Sequence, residues 1–261
     1  MVGTPRCPEN FRESAQRAGP ANMSKIEKAV ILAAGRGTRM RELTADLPKP
    51  MIEVRGKPVL QHIVEGLRDA GICEFLIVVG YRGDTVRNFL GDSSRYNVAI
   101  KYATQAVQDG TGRVVDLARD FVGDSAFVLS YGDILVDPAN YKCVINLPGN
   151  AEAIITVTRG EDISKGGAVF LNEQMHLVDI REKSKPDQTT SPWYNAGLYA
   201  FRPSIFEFTG KLKPSPRGEY ELTDAIRDLA RSGKKVKALV LTGEWADVRD
   251  PEILARLNRN V

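Results

Sequence analysis

The chain has 261 residues, 43% of them apolar and 26% charged, an ordinary globular composition with enough length to bury a sizeable core. Lys and Arg number 36 and Asp and Glu 33, for a net charge of +3, a surplus too small to argue for nucleic acid or an anionic membrane as a partner. No apolar run reaches the roughly 18 residues of a membrane span, and the three cysteines, Cys7, Cys73 and Cys143, show none of the CxxC or His-rich spacing of a structural zinc site.

The odd cysteine count suits reduced thiols and a cytoplasmic setting, and Cys73, in an apolar stretch, is expected to be a small core residue. His62 sits inside a helical pattern and reads as structural, so a histidine dyad is poorly supplied. Residues 1–22 mix charge, Pro and Gly without an apolar centre. They read as a disordered leader and not as a signal peptide. Residues 23–261 are expected to form one domain, with a first half over about 23–137 and a second over about 138–261.

In chain order, Ala29–Leu32 is a β-branched apolar run that reads as a buried strand meeting a glycine loop. Val59, Leu60, Ile63, Val64 and Leu67 follow helical spacing, with Gly71 as the stop. Phe75–Val79 is a second strand, Thr85–Leu90 a short helix and Ala99–Tyr102 a third strand. Val114, Val115, Ala118 and Phe121 mark another helical face, and Phe127–Leu129 a fourth strand. This alternation predicts βαβ units and a mainly parallel sheet. After about Asp137 the rhythm changes to the strands Ala153–Thr158, Ala168–Leu171, Leu177–Ile180 and Asn195–Phe201. That pattern predicts an antiparallel or mixed addition. A helix through Leu222, Ala225, Ile226 and Leu229, a strand Val236–Leu241 and a last helix opened by Pro251 complete the chain.

The glycine loop carries the chemical signal. Ala33-Ala34-Gly35-Arg36-Gly37-Thr38-Arg39-Met40 follows the first strand, where backbone N–H groups can approach phosphate closely. A dinucleotide GxGxxG needs Gly or Ala where Met40 stands, and the GxxxxGK[ST] of a P-loop is absent. Instead Pro48 and Pro50 pin the backbone around Lys49. Arg39 suits bidentate phosphate contact and Lys49 a point charge. Nucleotidyl transfer relies on such positioning and electrostatics more than on acid–base groups. A glycine turn flanked by surface cations is the competing reading.

Leu32-Ala-Ala-Gly-Arg-Gly-Thr-Arg-Met40 together with Leu47-Pro-Lys-Pro50 resembles the signature of the sugar-1-phosphate nucleotidylyltransferases. That family includes glucose-1-phosphate thymidylyl- and uridylyltransferases and mannose-1-phosphate guanylyltransferases. The likeness runs over nearly all of Lys28–Asn258. It implies an α/β, doubly wound, Rossmann-like domain with a mixed central sheet and an antiparallel sugar-binding portion. It implies an enzyme that joins an NTP to a sugar 1-phosphate with Mg²⁺, giving an NDP-sugar and pyrophosphate, and a homo-oligomer as the family's habit.

Residue by residue, the resemblance assigns Arg39, Lys49 and Asp133 to catalysis. Leu32, Ala34, Gly35, Gly37, Thr38, Gln105, Gly110 and Thr111 fall to the nucleotide. Gln105 with the Gly110-Thr111 turn favours a pyrimidine, UTP or dTTP, and leaves GTP open. Asp133, at the end of a buried strand, and Asp247 in Trp245-Ala-Asp247 are the implied metal carboxylates. Gly167, Glu182, Lys183 and Asn195 are the implied sugar-phosphate residues, with Lys183 on the phosphate and Glu182 on a sugar hydroxyl. On residues alone, Gln105 could be a polar strand end, Asp133 a turn residue and Arg181-Glu182-Lys183 a solvated charged turn. Thr223 and Asp224 could be first-turn residues of the following helix, and Asp250 suits a helix N-cap. The sequence departs from the family where Val248-Arg249 follow Asp247, a place where glycine is usual. No hexapeptide repeat is present, so no fused acetyltransferase portion is expected. A binding homologue without catalysis and a nicotinamide oxidoreductase are the other classes considered. The first should lack Arg39, Lys49 or the carboxylates, and the second needs the missing third glycine.

Overall fold

A computed structural model of the chain describes residues 23–35, 47–91, 94–183 and 191–259. The expected leader, residues 1–22, lies outside them. Strand β1 (Met23–Lys25) precedes β2 (Lys28–Ala33). After a one-turn 3₁₀ helix at Lys49–Met51 come the two-residue strands β3 (Glu53–Val54) and β4 (Lys57–Pro58). Helix α1 (Val59–Ala70) ends at Gly71 as expected and leads to β5 (Glu74–Val79), α2 (Gly83–Leu90) and β6 (Ala99–Thr104). The helical face through Val114 and Phe121 is broken into α3 (Thr111–Val115), a 3₁₀ turn and α4 (Arg119–Val122) before β7 (Phe127–Tyr131).

The second half adds β8 (Ile134–Val136), α5 (Pro138–Val144) and β9 (Asn146–Pro148). Then follow β10 (Ala153–Thr158), β11 (Gly167–Leu171), β12 (Leu177–Glu182) and β13 (Trp193–Phe201). The short α5 and the short β8 and β9 were not expected, because segments this brief carry no readable period. The chain closes with α6 (Phe206–Thr209), α7 (Leu222–Arg231), β14 (Val236–Val240), β15 (Trp245–Asp247) and α8 (Pro251–Asn258).

Among the described residues, strands from both halves join one nine-stranded sheet with the path β12-β11-β13-β7-β2-β5-β6 and with β10 and β14 off it. From β7 to β6 the pairing is parallel. β13 joins β7, β11 and β10 antiparallel, and β14 adds to β10 in parallel. The mixed sheet expected from the change of rhythm is present. Residues of β2 and β5 alternate between its two faces. Ala29, Ile31, Phe75 and Ile77 pack on one face with α1 and α5, while Val30, Leu76 and Val78 pack on the other with α3, α4 and α7. With both faces covered, the central strands β2, β5 and β7 read as continuous apolar runs. Fully burying each large side chain contributes about 1.5–3 kcal/mol, so Leu222, Ile226 and Leu229 suffice to dock α7.

Cys73 is exposed, against the expectation of a core residue, because it lies in the turn between α1 and β5. Cys143 is buried. His62 is structural, its Nε2 sharing a 2.8 Å hydrogen bond with the carbonyl of Val54. Among the described residues no helix is long and apolar enough to cross a membrane.

Candidate active site

The parallel order β7-β2-β5-β6 places the fourth parallel strand beside the first, so chain direction across the sheet reverses between β2 and β7. Ligands of open α/β sheets bind at the carboxyl ends of the strands flanking such a point. Leu32 lies at the end of β2 there, Ala34 and Gly35 follow it, and Asp133 follows β7. The N–H of Gly132 donates to the carbonyl of Leu32 at 3.0 Å and holds the two ends together. Gly37, Thr38 and Arg39 lie outside the described residues.

Pro48 precedes and Pro50 lies within the 3₁₀ turn that begins at Lys49, with Met51 N–H donating to the Pro48 carbonyl at 2.8 Å. This turn aims the Lys49 ammonium at two carboxylates. It forms an ion pair with Oδ2 of Asp133 and lies 3.3 Å from Oδ1 of Asp247. Burial works against the ammonium, but the two carboxylates outweigh it and raise its pKa above the usual lysine value. Burial also pushes the Asp247 carboxyl up, the charge of Asp133 adds to this, and Lys49 and Arg249 oppose it.

Asp247 reaches this point through pairing that no sequence pattern displays. β15 runs antiparallel to β8 with Asp247 opposite Ile134, and Val248 N–H donates to the Asp133 carbonyl at 2.9 Å. Asp250 is the N-cap of α8, accepting from Ile253 N–H, which fulfils that reading. Thr223 and Asp224 lie in the first turn of α7, again as the plainer reading has it.

Two adjoining cavities meet at this carboxylate pair. The first, of about 420 Å³, is lined by Leu32, Ala34, Gly35, Gln105, Gly110 and Asp133, among others, a size suited to a small ligand. Gly110 has φ +118, and a Cβ there would overlap the backbone of Tyr220. That close approach seats the Gly110-Thr111 turn against the chain at Tyr220, whose N–H donates to Asp109 and whose carbonyl accepts from Gly112, both at 2.7 Å. Gln108 also lines this cavity and was missed from sequence. Its Nε2 donates to the Ala34 carbonyl at 2.8 Å, across the site.

The second cavity, of about 180 Å³, is lined by Gly167, Glu182, Lys183, Asn195 and Asp247 and shares Thr111 and Tyr131 with the first. Gly167 faces Glu182 across the β11–β12 pair. Lys183 leaves β12 at φ +45, a left-handed conformation that is costly for a residue with a side chain. Asn195 donates to the Tyr199 hydroxyl at 2.7 Å, while its Oδ1 is buried with no partner among the described residues. Burial raises the pKa of Glu182 to about 7, with the charge of Glu221 adding and those of Arg217 and Lys183 opposing. Arg217, Glu219 and Glu221 also line this cavity, and Arg217 donates to Glu221 at 2.5 Å. Arg217, Glu219 and Glu221 were missed from sequence; they lie just ahead of Thr223 and Asp224, and that nearness was the available signal.

A family model described as nucleotidyl transferase matches residues 28–261. The UTP–glucose-1-phosphate uridylyltransferase AglF of Haloferax volcanii is 35% identical over 229 residues, which cover 86% of this chain and 92% of that protein. The glucose-1-phosphate thymidylyltransferase of Streptomyces griseus is 33% identical over 90% of this chain and 66% of its own length. The bifunctional protein GlmU of Methanocaldococcus jannaschii is 36% identical over 88% of this chain and 53% of its own length. The chain thus spans from about half to about two thirds of some of the curated relatives it matches. A UDP-glucose pyrophosphorylase solved with UDP-glucose superimposes with a TM-score of 0.79 at 24% identity, covering 90% of this chain and 98% of that one. That likeness shows the fold.

Proposed function

The chain belongs to the nucleotidyl transferase family, and on that premise we propose that it transfers the nucleotidyl group of an NTP to a sugar 1-phosphate, releasing pyrophosphate and forming an NDP-sugar. The observation that carries this reading is the junction of the two cavities. Asp133 lines the first, Asp247 lines the second, and Lys49 bridges the carboxylates.

A phosphate oxygen of the acceptor attacks the α-phosphorus, and the bond from that phosphorus to the oxygen bridging to the β-phosphate breaks. The electron pair leaves on pyrophosphate. The attacking oxygen is already ionised, so no general base is needed, in keeping with a site whose described lining holds no histidine. Lys49, and Arg39 on the glycine loop, offset the charge of the triphosphate and the leaving group. Lys183 and Arg217 draw the acceptor phosphate into the second cavity, and the partnerless Oδ1 of Asn195 accepts from a sugar hydroxyl.

The two carboxylates fit Mg²⁺. They converge on one point that a lysine ammonium already occupies, and paired carboxylates completed by phosphate oxygens and water are a donor set this ion takes. When bound, it supplies charge neutralisation at the α-phosphate and the leaving pyrophosphate. Gln105, Gly110 and Thr111 favour a pyrimidine, UTP or dTTP. The relatives named as glucose-1-phosphate uridylyl- and thymidylyltransferases support both that choice and a glucose 1-phosphate-like acceptor.

Pyrophosphate release from a panel of NTPs with glucose 1-phosphate, with and without Mg²⁺, tests the reading. Metal-dependent release with UTP or dTTP is expected. No release with any NTP across glucose, mannose and amino-sugar 1-phosphates would overturn it.

A further inference from the structure

Arg249 stands where the sequence resemblance leads one to expect glycine. Its side chain is not a surface cation: the residue is 7% exposed and lies among other side chains. One terminal nitrogen lies 3.5 Å from Oδ2 of Asp247 and donates to the Tyr194 hydroxyl at 3.3 Å. The other donates to Glu161 at 3.2 Å. Burying a guanidinium is costly unless carboxylates surround it, and here Asp247 and Glu161 do, with Asp250 at 4.0 Å from Nε.

The backbone directs the side chain there. Val248 is fully buried and bonded to the Asp133 carbonyl, which anchors the segment between the two carboxylates. Asp247 is thereby gripped on both oxygens: Oδ1 faces Lys49 and the shared site, and Oδ2 faces Arg249 behind it. Tyr194, the other end of the contact, lines the second cavity and packs edge-on against Trp245 with ring centroids 5.5 Å apart. A Cβ at Gly166 would overlap the Tyr194 hydroxyl, so this hydroxyl has a seat prepared by the opposite wall.

We propose that Arg249 is a positioning residue that locks Asp247 and Tyr194 together, so that one guanidinium orients the cation-binding carboxylate and the acceptor wall at once. The inference rests on the nucleotidyl-transfer reading. Its charge is balanced by Glu161, so its effect on Asp247 is orientation with little added repulsion toward a cation. Partners of this kind behind a metal-binding carboxylate commonly change metal affinity about 10- to 100-fold.

The test uses the whole chain and Mn²⁺ alone as the probe, read by electron paramagnetic resonance. It is paired with KM values for glucose 1-phosphate and UTP. Arg249→Met is expected to weaken Mn²⁺ binding about 10-fold or more and, at saturating Mg²⁺, to raise the KM for glucose 1-phosphate while leaving that for UTP unchanged. Tyr194→Phe should raise the glucose 1-phosphate KM alone, and Arg249→Lys should restore part of the Mn²⁺ affinity. If Arg249→Met misfolds by circular dichroism, the Lys and Phe variants carry the test. A folded Arg249→Met that binds Mn²⁺ and acceptor like the wild type, while Asp247→Asn loses Mn²⁺, overturns the role of Arg249 and leaves the enzymatic reading standing. A wild-type chain that neither binds Mn²⁺ nor turns over overturns both.

Discussion

Lys49 Nζ lies 3.3 Å from Oδ1 of Asp247, a residue 198 positions further along the chain. The same ammonium pairs with Asp133, so one cation joins the segment after β2, the end of β7 and the strand β15. Lys49→Ala should leave the fold intact and reduce turnover by about 10²- to 10³-fold, the range for removal of one preorganised electrostatic group. Stopped-flow pyrophosphate release alongside circular dichroism checks it, and wild-type turnover in a folded variant would exclude Lys49 from the chemistry.

Glu182 makes stability depend on pH. Its folded pKa of about 7 stands above the ordinary value of 4.5. Below about 4.5 both states hold the proton; between about 4.5 and 7 the folded state holds a proton that the unfolded chain has released, so stability falls as pH rises. The full effect is about 3 kcal/mol. Glu182→Gln should therefore come closest to the wild type at pH near 4 and exceed it at pH near 8, as read by urea denaturation at the two values. Equal gains at both would place the ionisation elsewhere.

Gly110→Ala should be harmful for two reasons in the same place. The backbone is at φ +118 and the new Cβ would strike Tyr220. A cost of about 1–3 kcal/mol is expected, with a raised KM for the nucleotide because the turn lining the first cavity must shift. Thermal denaturation and NTP kinetics measure the two effects, and a neutral substitution would show that the turn is not held against Tyr220.

Cys73→Ser should change stability by less than about 0.5 kcal/mol, as for exposed positions without special contacts. In the wild type Cys73 should react rapidly with a thiol reagent under native conditions. A loss typical of a core residue would contradict its exposure.

Much of the frame was legible in the chain itself. The apolar runs at β2, β5 and β7 and the helical spacing of α1 and α7 state their own periods, because both faces of the sheet are covered and each helix buries one stripe. Pro48-Lys49-Pro50 and the end of β7 could be read as chemistry because their local geometry is set by neighbouring residues. What adjoins them was named only through the family resemblance, with no local pattern behind it. β8 and β15 are three residues each, too short for any pattern, yet their pairing is what brings Asp247 to Asp133. The exposure of Cys73 is a property of the turn in which it sits, and its apolar neighbours pointed the other way. Arg249 is the sharpest case. In the sequence it was only a departure from an expected glycine; its meaning came from Tyr194, Glu161 and Asp247, which the folded chain assembles around it. Local periodicity determined the elements, and long-range contacts, whose partners lie too far apart to imprint a period, decided which side chains share a site.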